Sequence, residues 1–123
     1  IFLDHMTTGD GQLAALQFLS IVQRSGKKVS ELSDRIVSYP QVLRNVRVGT
    51  NEQKQAIMGS AVLQETIRKA EAMFGGSGRV LIRPSGTEPL IRVMVEAGET
   101  ATAEAAAGIL VEAVENLQKS LEN

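Results

Sequence analysis

The sequence contains no cysteine. It can therefore form neither disulfide bonds nor thiolate zinc sites, and it offers no thiol nucleophile. A chain of this kind is compatible with a reducing compartment, and we expect it in the cytoplasm. Its 123 residues can bury one modest core. Because the sequence opens at Ile1 rather than at a methionine, we expect it to be a piece of a longer protein.

A strong charge of either sign is also missing. Thirteen basic residues stand against fourteen acidic residues, so the formal net charge is −1. Such a chain lacks the positive field that concentrates nucleic acids or anionic membranes around a protein. No apolar run approaches the roughly 20 residues that cross a bilayer, and the start does not resemble a signal peptide. We therefore predict no nucleic-acid or membrane partner, and any anion must be recognised locally.

The first 39 residues are predicted to be helical. Asp10 can cap a helix over residues 12–24, and Gly26 supplies its end. Ser30 can cap a second, short helix that runs through Val37. Pro40 follows this helix, and we place a domain boundary there, between residues 1–39 and 40–123.

Beyond Pro40 the pattern changes to mixed strands and helices. Residues 42–48 predict a strand with one imperfect step, interpreted as a bulge, which is followed by a turn at 49–51. A helix is expected from about Ser60 to Phe74, with an apolar stripe made of Val62, Ile67, Ala70 and Phe74.

The remaining elements are two strands and a long helix. Residues 80–82 and 90–96 form apolar runs on either side of a turn-rich stretch, and we expect them to pair antiparallel. The last helix should cover residues 100–121, with Thr100 or Thr102 as its cap. The order predicts an α+β fold in which a small antiparallel sheet is covered by two helices.

The turn-rich stretch carries the chemistry. It reads Arg83-Pro84-Ser85-Gly86-Thr87-Glu88-Pro89. A guanidinium, two hydroxyls and a glycine that lets a ligand approach the backbone are the parts of a phosphate site. Backbone N–H groups of residues 85–87 could add an anion-binding concavity, and the two prolines restrict the loop. We therefore predict that this loop binds a phosphate group.

Other interpretations of the same residues remain open. Proline, serine, glycine and threonine are common in turns that bind nothing, so the loop could be a plain hairpin connection. Arg92 on the following strand faces either this site or solvent as a cross-strand partner. Glu88 is placed outside the site, because a carboxylate beside an anion is better suited to orienting Arg83 or Arg92, or to solvent.

The segment from Arg83 to Val93 closely resembles the phosphate-binding loop and following strand of the alpha-D-phosphohexomutase family. The segment 7–16, with Thr7, Thr8, Gly9, Asp10 and Gly11 at its start, looks most like the bacterial branch that acts on glucosamine phosphates. So does the stretch 92–96. The resemblance covers essentially the whole chain.

Several expectations come from this resemblance alone. It implies a C-terminal domain that resembles the TATA-box-binding protein, preceded by a helical remnant of the third domain. In the family, four domains surround a cleft, and the fourth grips the phosphate that does not react. Carried over, that grip falls to Arg83, Ser85, Gly86 and Thr87, with Arg92 as a further candidate.

The implied reaction interconverts glucosamine 6-phosphate and glucosamine 1-phosphate through a hexosamine 1,6-bisphosphate. The family's phosphoserine loop, its run of three aspartates for Mg²⁺ and its sugar-reading loop are not in this sequence. We therefore expect no catalytic residue and no metal ligand here, and no activity from this segment alone. The expected partners are a phosphosugar and the remaining domains of the same enzyme, with an oligomer possible.

Two alternatives remain beside this hypothesis. The phosphate loop is shared by phosphomannomutases and phosphoglucomutases, and the sugar-reading loop that would separate them is absent. The other alternative is a non-enzymatic α+β binding module that shares only the fold. Dependence of ligand binding on phosphate would separate the family hypothesis from that module.

Overall fold

The computed structural model describes residues 1–34 and 36–122. Its internal contacts divide the chain into two units, Ile1–Ser38 and Tyr39–Asn123. Each unit is described separately below. Within the described residues, no helix combines the length and the apolar character needed to cross a membrane.

The first unit contains the predicted long helix, α1, at Gly11–Ser25. The Asp10 carboxylate accepts hydrogen bonds from the backbone N–H groups of Gln12 and Leu13, at 2.9 and 3.0 Å. At the other end Gly26 is left-handed, with φ of 63°, and its N–H donates to the Val22 carbonyl. Both end signals read from the sequence are confirmed.

The second helix, α2, is shorter than predicted and spans Val29–Ser33. Ser30 lies inside it, so the prediction that Ser30 caps the helix is wrong. The Glu31 carboxylate instead accepts from the Lys28 N–H at 2.8 Å, which satisfies a free donor at the start. The predicted helix ran on to Val37 and included Arg35, which lies outside the described residues.

The second unit is an α+β fold, as predicted. In chain order its elements are β1 at Gln41–Arg47, α3 at Asn51–Met58, α4 at Ala61–Ala72, β2 at Gly78–Pro84, β3 at Leu90–Ala97 and α5 at Thr100–Leu121. The strands form one antiparallel sheet in the order β1-β3-β2. The last strand in sequence is therefore the central one, paired on both sides.

Strand β1 is regular, and the predicted bulge is wrong. Its pairing with β3 runs without interruption from Gln41 opposite Glu96 to Arg47 opposite Leu90. The imperfect step in the sequence arises because Leu43, although apolar, points to the open face of the sheet and is half exposed. Its neighbours Val42 and Val46 point inward and are buried, as strand alternation requires.

Helix α3 occupies the segment for which only a turn was expected. Thr50 caps it, since its hydroxyl accepts from the Gln53 N–H, and the Gln53 side chain accepts from the Thr50 N–H in return. This reciprocal pair is a capping box. Ser60 then caps α4 through the Val62 N–H, which confirms the predicted start of that helix.

The core lies between the sheet and the helices. Four alternate residues of β3 are fully buried on the inner face: Ile91, Val93, Val95 and Ala97. They join buried residues of the helices in one cluster, which includes Ile57, Leu63, Ala70, Ala106, Leu110 and Val114. The predicted caps of α5 are wrong, because Glu99 occupies the N-cap position and Thr100 is the first helical residue.

The buried face of α4 differs from the predicted stripe by one residue. Leu63 is 0% exposed, whereas Val62 is 59% exposed. Successive residues on a helix are about 100° apart, so the two side chains point in different directions. Both are apolar, which is why the sequence pattern did not separate them.

We predict that Leu63→Ala lowers the free energy of unfolding by about 2–5 kcal/mol, because it leaves a cavity in the core. Val62→Ala is the matched control and should change stability by less than about 0.5 kcal/mol, since its side chain faces solvent. Urea denaturation of the two variants measures both values. Equal losses would contradict the packing described for α4.

An ion pair lies on the open face of the sheet at the start of β2. The Arg79 Nε donates to the Glu96 carboxylate at 2.5 Å, and the Gln41 amide donates to the same carboxylate at 2.8 Å. The hydrogen bond from Arg79, followed by that from Gln41, lowers the pKa of Glu96. The pKa of Glu96 is thus lower in the folded protein than the ordinary glutamate pKa of about 4.3. The ion pair therefore stabilises the fold at pH values above that ordinary pKa. This contribution is lost as the pH falls through the folded-state pKa.

We expect Arg79→Met to raise the pKa of Glu96 toward its ordinary value, because the largest cause of the shift is removed. Carboxyl carbon NMR titration of the two proteins measures this directly. Glu65, whose pKa is lowered by Arg68, serves as the internal control and should not change. If Glu96 titrates identically in both proteins, the pair does not form in solution.

Candidate functional site

The loop between β2 and β3 is closed by its own hydrogen bonds. The Ser85 N–H donates to the Leu90 carbonyl at 2.9 Å, and the Glu88 N–H donates to the Ser85 hydroxyl oxygen at 3.3 Å. The Pro89 carbonyl accepts from the N–H of Val48, just beyond β1. The loop is therefore attached to the sheet at both ends and shaped internally by Ser85.

The two arginines of the predicted site are cross-strand neighbours. Arg83 on β2 lies directly opposite Arg92 on β3. Directly opposed residues of an antiparallel pair project from the same face of the sheet. Because Ile91 and Val93 point into the core, Arg92 and Arg83 must project from the open face. Two like charges side by side are unfavourable unless an anion joins them.

These arginines and the loop surround one concavity of about 310 Å³. It is lined by Arg83, Pro84, Ser85, Gly86, Thr87 and Arg92. All five residues that the sequence indicated for substrate phosphate thus lie around the same space. Arg92, for which a solvent-facing role was left open, is among them.

Some backbone N–H groups of the loop have a protein acceptor, and others do not. The N–H groups of Ser85, Glu88 and Leu90 are bonded within the loop. The expectation that the Ser85 N–H helps to bind an anion is therefore wrong, because the Leu90 carbonyl already accepts it. In the described part of the chain, the N–H groups of Gly86 and Thr87 have no protein acceptor.

The Ser85 side chain is nearly inaccessible, with the residue only 7% exposed. Its oxygen accepts from the Glu88 N–H, but its own hydroxyl hydrogen is still available for donation. Ser85 therefore has two roles that are compatible. It holds the turn together, and it can donate one hydrogen bond at the floor of the concavity.

Glu88 pairs with Arg92. One carboxylate oxygen lies 3.3 Å from the Arg92 guanidinium, and both side chains are partly exposed to solvent. The Arg92 Nε, by contrast, is buried and has no hydrogen-bond partner among the described residues. The Arg83 side chain likewise forms no hydrogen bond or ion pair within that part of the chain. Both guanidinium groups thus retain donors for an anion.

One residue that supports the loop was missed from the sequence. Lys54 on α3 is only 6% exposed, and its ammonium donates to the carbonyls of Ser85 and Glu88 at 2.9 and 3.1 Å. The capping box at Thr50 and Gln53 was a readable signal for the helix, but nothing local indicates where its lysine points. Lysine is rarely buried, so its residue type gives no reason to place Lys54 inside the protein.

No group of three or more side chains suited to holding a metal ion occurs within residues 1–34 and 36–122. Magnesium is bound mainly by carboxylates and water, and the loop offers cationic and neutral donors with a single carboxylate, which is engaged by Arg92. The residues here do not fit a resident Mg²⁺. They fit an oxyanion.

Domains of one known protein family match both units of the chain. Residues 43–113 match the C-terminal domain of phosphoglucomutase/phosphomannomutase, and residues 1–39 match the alpha/beta/alpha domain III of the same family. The chain belongs to the phosphoglucomutase/phosphomannomutase family. The family recognised from the residues around Arg83 is thereby confirmed.

Curated relatives within the family are phosphoglucosamine mutases. The chain is 48% identical over 115 residues to that of Lactococcus lactis subsp. cremoris, strain SK11. It is 52% identical over 116 residues to that of Alkaliphilus metalliredigens. Each match covers 94% of this chain, which spans about a quarter of the length of these relatives (25% and 26%).

Solved structures of the family share the fold. An N-acetylphosphoglucosamine mutase of Aspergillus fumigatus superposes with a TM-score of 0.70 at 24% identity, over 85% of this chain and 20% of that one. An N-acetylglucosamine-phosphate mutase, described as a member of the alpha-D-phosphohexomutase superfamily in its product complex, gives a TM-score of 0.57 at 26% identity. That match covers 84% of this chain and 19% of the other.

Proposed function

We propose that the loop at residues 83–87, together with Arg92, binds the phosphate of a glucosamine phosphate that is not being transferred. The observation that carries the proposal is that residues with unused donors line one concavity. The Arg83 guanidinium and the N–H groups of Gly86 and Thr87 have no protein acceptor among the described residues. The curated relatives favour glucosamine over mannose or glucose as the sugar.

A phosphate monoester suits these donors. It carries a charge of about −1.5 to −2 near neutral pH and offers three strong acceptor oxygens. Arg83 and Arg92 can approach it from the sheet while the loop N–H groups approach from the turn. An anion between the two guanidinium groups also removes their mutual repulsion. The two arginines together therefore stabilise a bound phosphate more than a single arginine would.

The donor set recognises phosphate and little else. No aromatic or amide side chain lines the concavity, and its two non-polar members are Pro84 and Gly86. Such a site accepts either end of a sugar that carries phosphate at the 1 or the 6 position. A mutase that works through a bisphosphate, which must turn round between two transfers, needs this indifference to the sugar.

The remaining chemistry belongs to a longer protein. We propose that residues 1–39 are the end of a third domain and residues 40–123 the fourth domain of a phosphoglucosamine mutase, which interconverts glucosamine 6-phosphate and glucosamine 1-phosphate. Magnesium would be held by its other domains, and a hexosamine 1,6-bisphosphate would be the intermediate of the reaction. Two A. fumigatus structures of N-acetylphosphoglucosamine mutase are complexes, one with GlcNAc-6P and magnesium and the other with glucose1,6bisphosphate. A cytoplasmic location stays a prediction.

The proposal is tested by titrating the isotopically labelled chain with glucosamine 6-phosphate and following its amide NMR signals. We expect shifts at Gly86 and Thr87 with glucosamine 6-phosphate and with inorganic phosphate, and none with glucosamine. Arg83→Met should remove most of the response, because it deletes a charged donor. Lys69→Met, on the exposed face of α4, is the matched loss of a charge elsewhere. A folded chain without phosphate-dependent shifts at the loop would refute the proposal.

Gly86→Ala should separate binding from folding. Gly86 does not have a positive φ, and a Cβ added there meets no atom within 4 Å. The free chain therefore has room for the methyl group, and we expect unchanged or slightly higher stability, by at most about 1 kcal/mol. Phosphate binding should weaken, because the methyl occupies open space beside the loop donors.

Thermal unfolding and the same NMR titration give the two readouts for Gly86→Ala. Gly98→Ala is a suitable control, since a Cβ there also meets nothing within 4 Å and the residue lies outside the concavity. Unweakened phosphate binding by Gly86→Ala would argue against close approach of the ligand to this peptide.

A further inference from the structure

The Lys54 ammonium is a buried charge for which the proposed phosphate grip provides no role. It does not line the concavity. No carboxylate lies within ion-pair distance of it in the described part of the chain. Burying an unpaired charge is costly, and it persists only where hydrogen bonds compensate. Here the compensation comes entirely from carbonyl groups of the loop.

Lys54 joins the two halves of that loop. Its ammonium donates to the Ser85 carbonyl at 2.9 Å and to the Glu88 carbonyl at 3.1 Å. The Glu88 carbonyl accepts a second hydrogen bond from the Leu90 N–H at 2.9 Å. A single side chain on α3 thus connects to the loop on both sides of Gly86 and Thr87.

The contact with the Ser85 carbonyl fixes the direction of the next N–H group. A peptide unit is planar and trans, so its C=O and N–H point in opposite directions. The carbonyl of Ser85 and the N–H of Gly86 belong to one such unit. Since the carbonyl points at Lys54, the Gly86 N–H points away from it. This is one of the two N–H groups without a protein acceptor.

We propose that Lys54 is a positioning residue for the phosphate-binding loop: its ammonium holds the Ser85 carbonyl on the inner side, so that the Gly86 N–H is presented to the ligand, and its contact with the Glu88 carbonyl holds the other end of the turn. This inference rests on the proposed function, because it needs a phosphate to accept a hydrogen bond from that N–H group. Lys54 itself does not touch the ligand. Loop orientation set in advance reduces the ordering cost of binding.

The central test compares the unmodified chain with Lys54→Met, which keeps an unbranched apolar stem and removes the ammonium. We expect binding of inorganic phosphate and of glucosamine 6-phosphate to weaken by about tenfold or more, the factor that corresponds to about one hydrogen bond. The Gly86 and Thr87 amide signals should also move in the ligand-free variant, while those of Val93 and Val95 in the core stay in place. Lys69→Met is again the matched control and should bind as the unmodified chain does.

The outcomes separate this inference from the proposed function. If the unmodified chain does not bind phosphate, the proposed function fails, and the inference fails with it. If the unmodified chain binds and a folded Lys54→Met binds equally well, only the positioning role of Lys54 is refuted. Loss of affinity with the loop amides unmoved would also refute it, since a change of loop orientation must alter those signals.

A second measurement needs no variant and covers the case in which Lys54→Met does not fold. Ammonium protons held by two carbonyls exchange slowly with water, whereas those of exposed lysines exchange quickly. We expect a resolved Lys54 ammonium signal in the unmodified chain that persists when inorganic phosphate is added, and none from Lys69. A Lys54 ammonium that exchanges as fast as Lys69 would overturn the proposal.

Discussion

Strand β3 buries every second side chain, and the position of the site follows from this alternation. Ile91, Val93 and Val95 have to face the helices, because the central strand supplies the floor of the core. Arg92 is therefore placed on the opposite face, where the register sets it beside Arg83. A shift of β3 by one residue would turn Arg92 into the core and expose the apolar residues of that strand. The packing of the core thus also places the guanidinium group of Arg92 beside that of Arg83.

The loop beyond this register is shaped by hydrogen bonds that consume most of its polar backbone groups. Ser85 and Leu90 close its base, and Glu88 is held by the Ser85 hydroxyl. The Gly86 and Thr87 N–H groups have no protein acceptor in the described part of the chain, and Lys54 binds the Ser85 and Glu88 carbonyls. Successive N–H groups without a backbone partner give a neutral segment a side that attracts anions.

Much of this could be predicted from the sequence, because the signals are local. The apolar runs around residues 80–82 and 90–96 gave two paired strands, and Asp10 and Gly26 gave the ends of α1. The sequence pattern could not show which of Val62 and Leu63 is buried, because both are apolar. Only the packing direction of α4 decides this. Helix α3 was missed although Thr50 and Gln53 form a readable capping signal. The glutamate at position 99 contributes no side-chain cap, so threonine signals nearby misplaced the start of α5.

The site shows the same division between local and distant causes. Arg83 and the residues after it form a recognisable group in the sequence, and the structure brings them together with Arg92. The use of the Ser85 N–H depends on Leu90 and on closure of the turn, which composition does not reveal.

Lys54 is 31 residues before Ser85 in the chain, and a lysine among other polar residues is expected to be exposed. Lys54 is buried because it binds backbone carbonyls, and every residue has such a carbonyl. The residue types alone therefore do not reveal the contact. A backbone carbonyl can hold Lys54 in position whichever side chain its residue carries. Substitutions in the loop can therefore alter ligand contacts while the contact with Lys54 is retained.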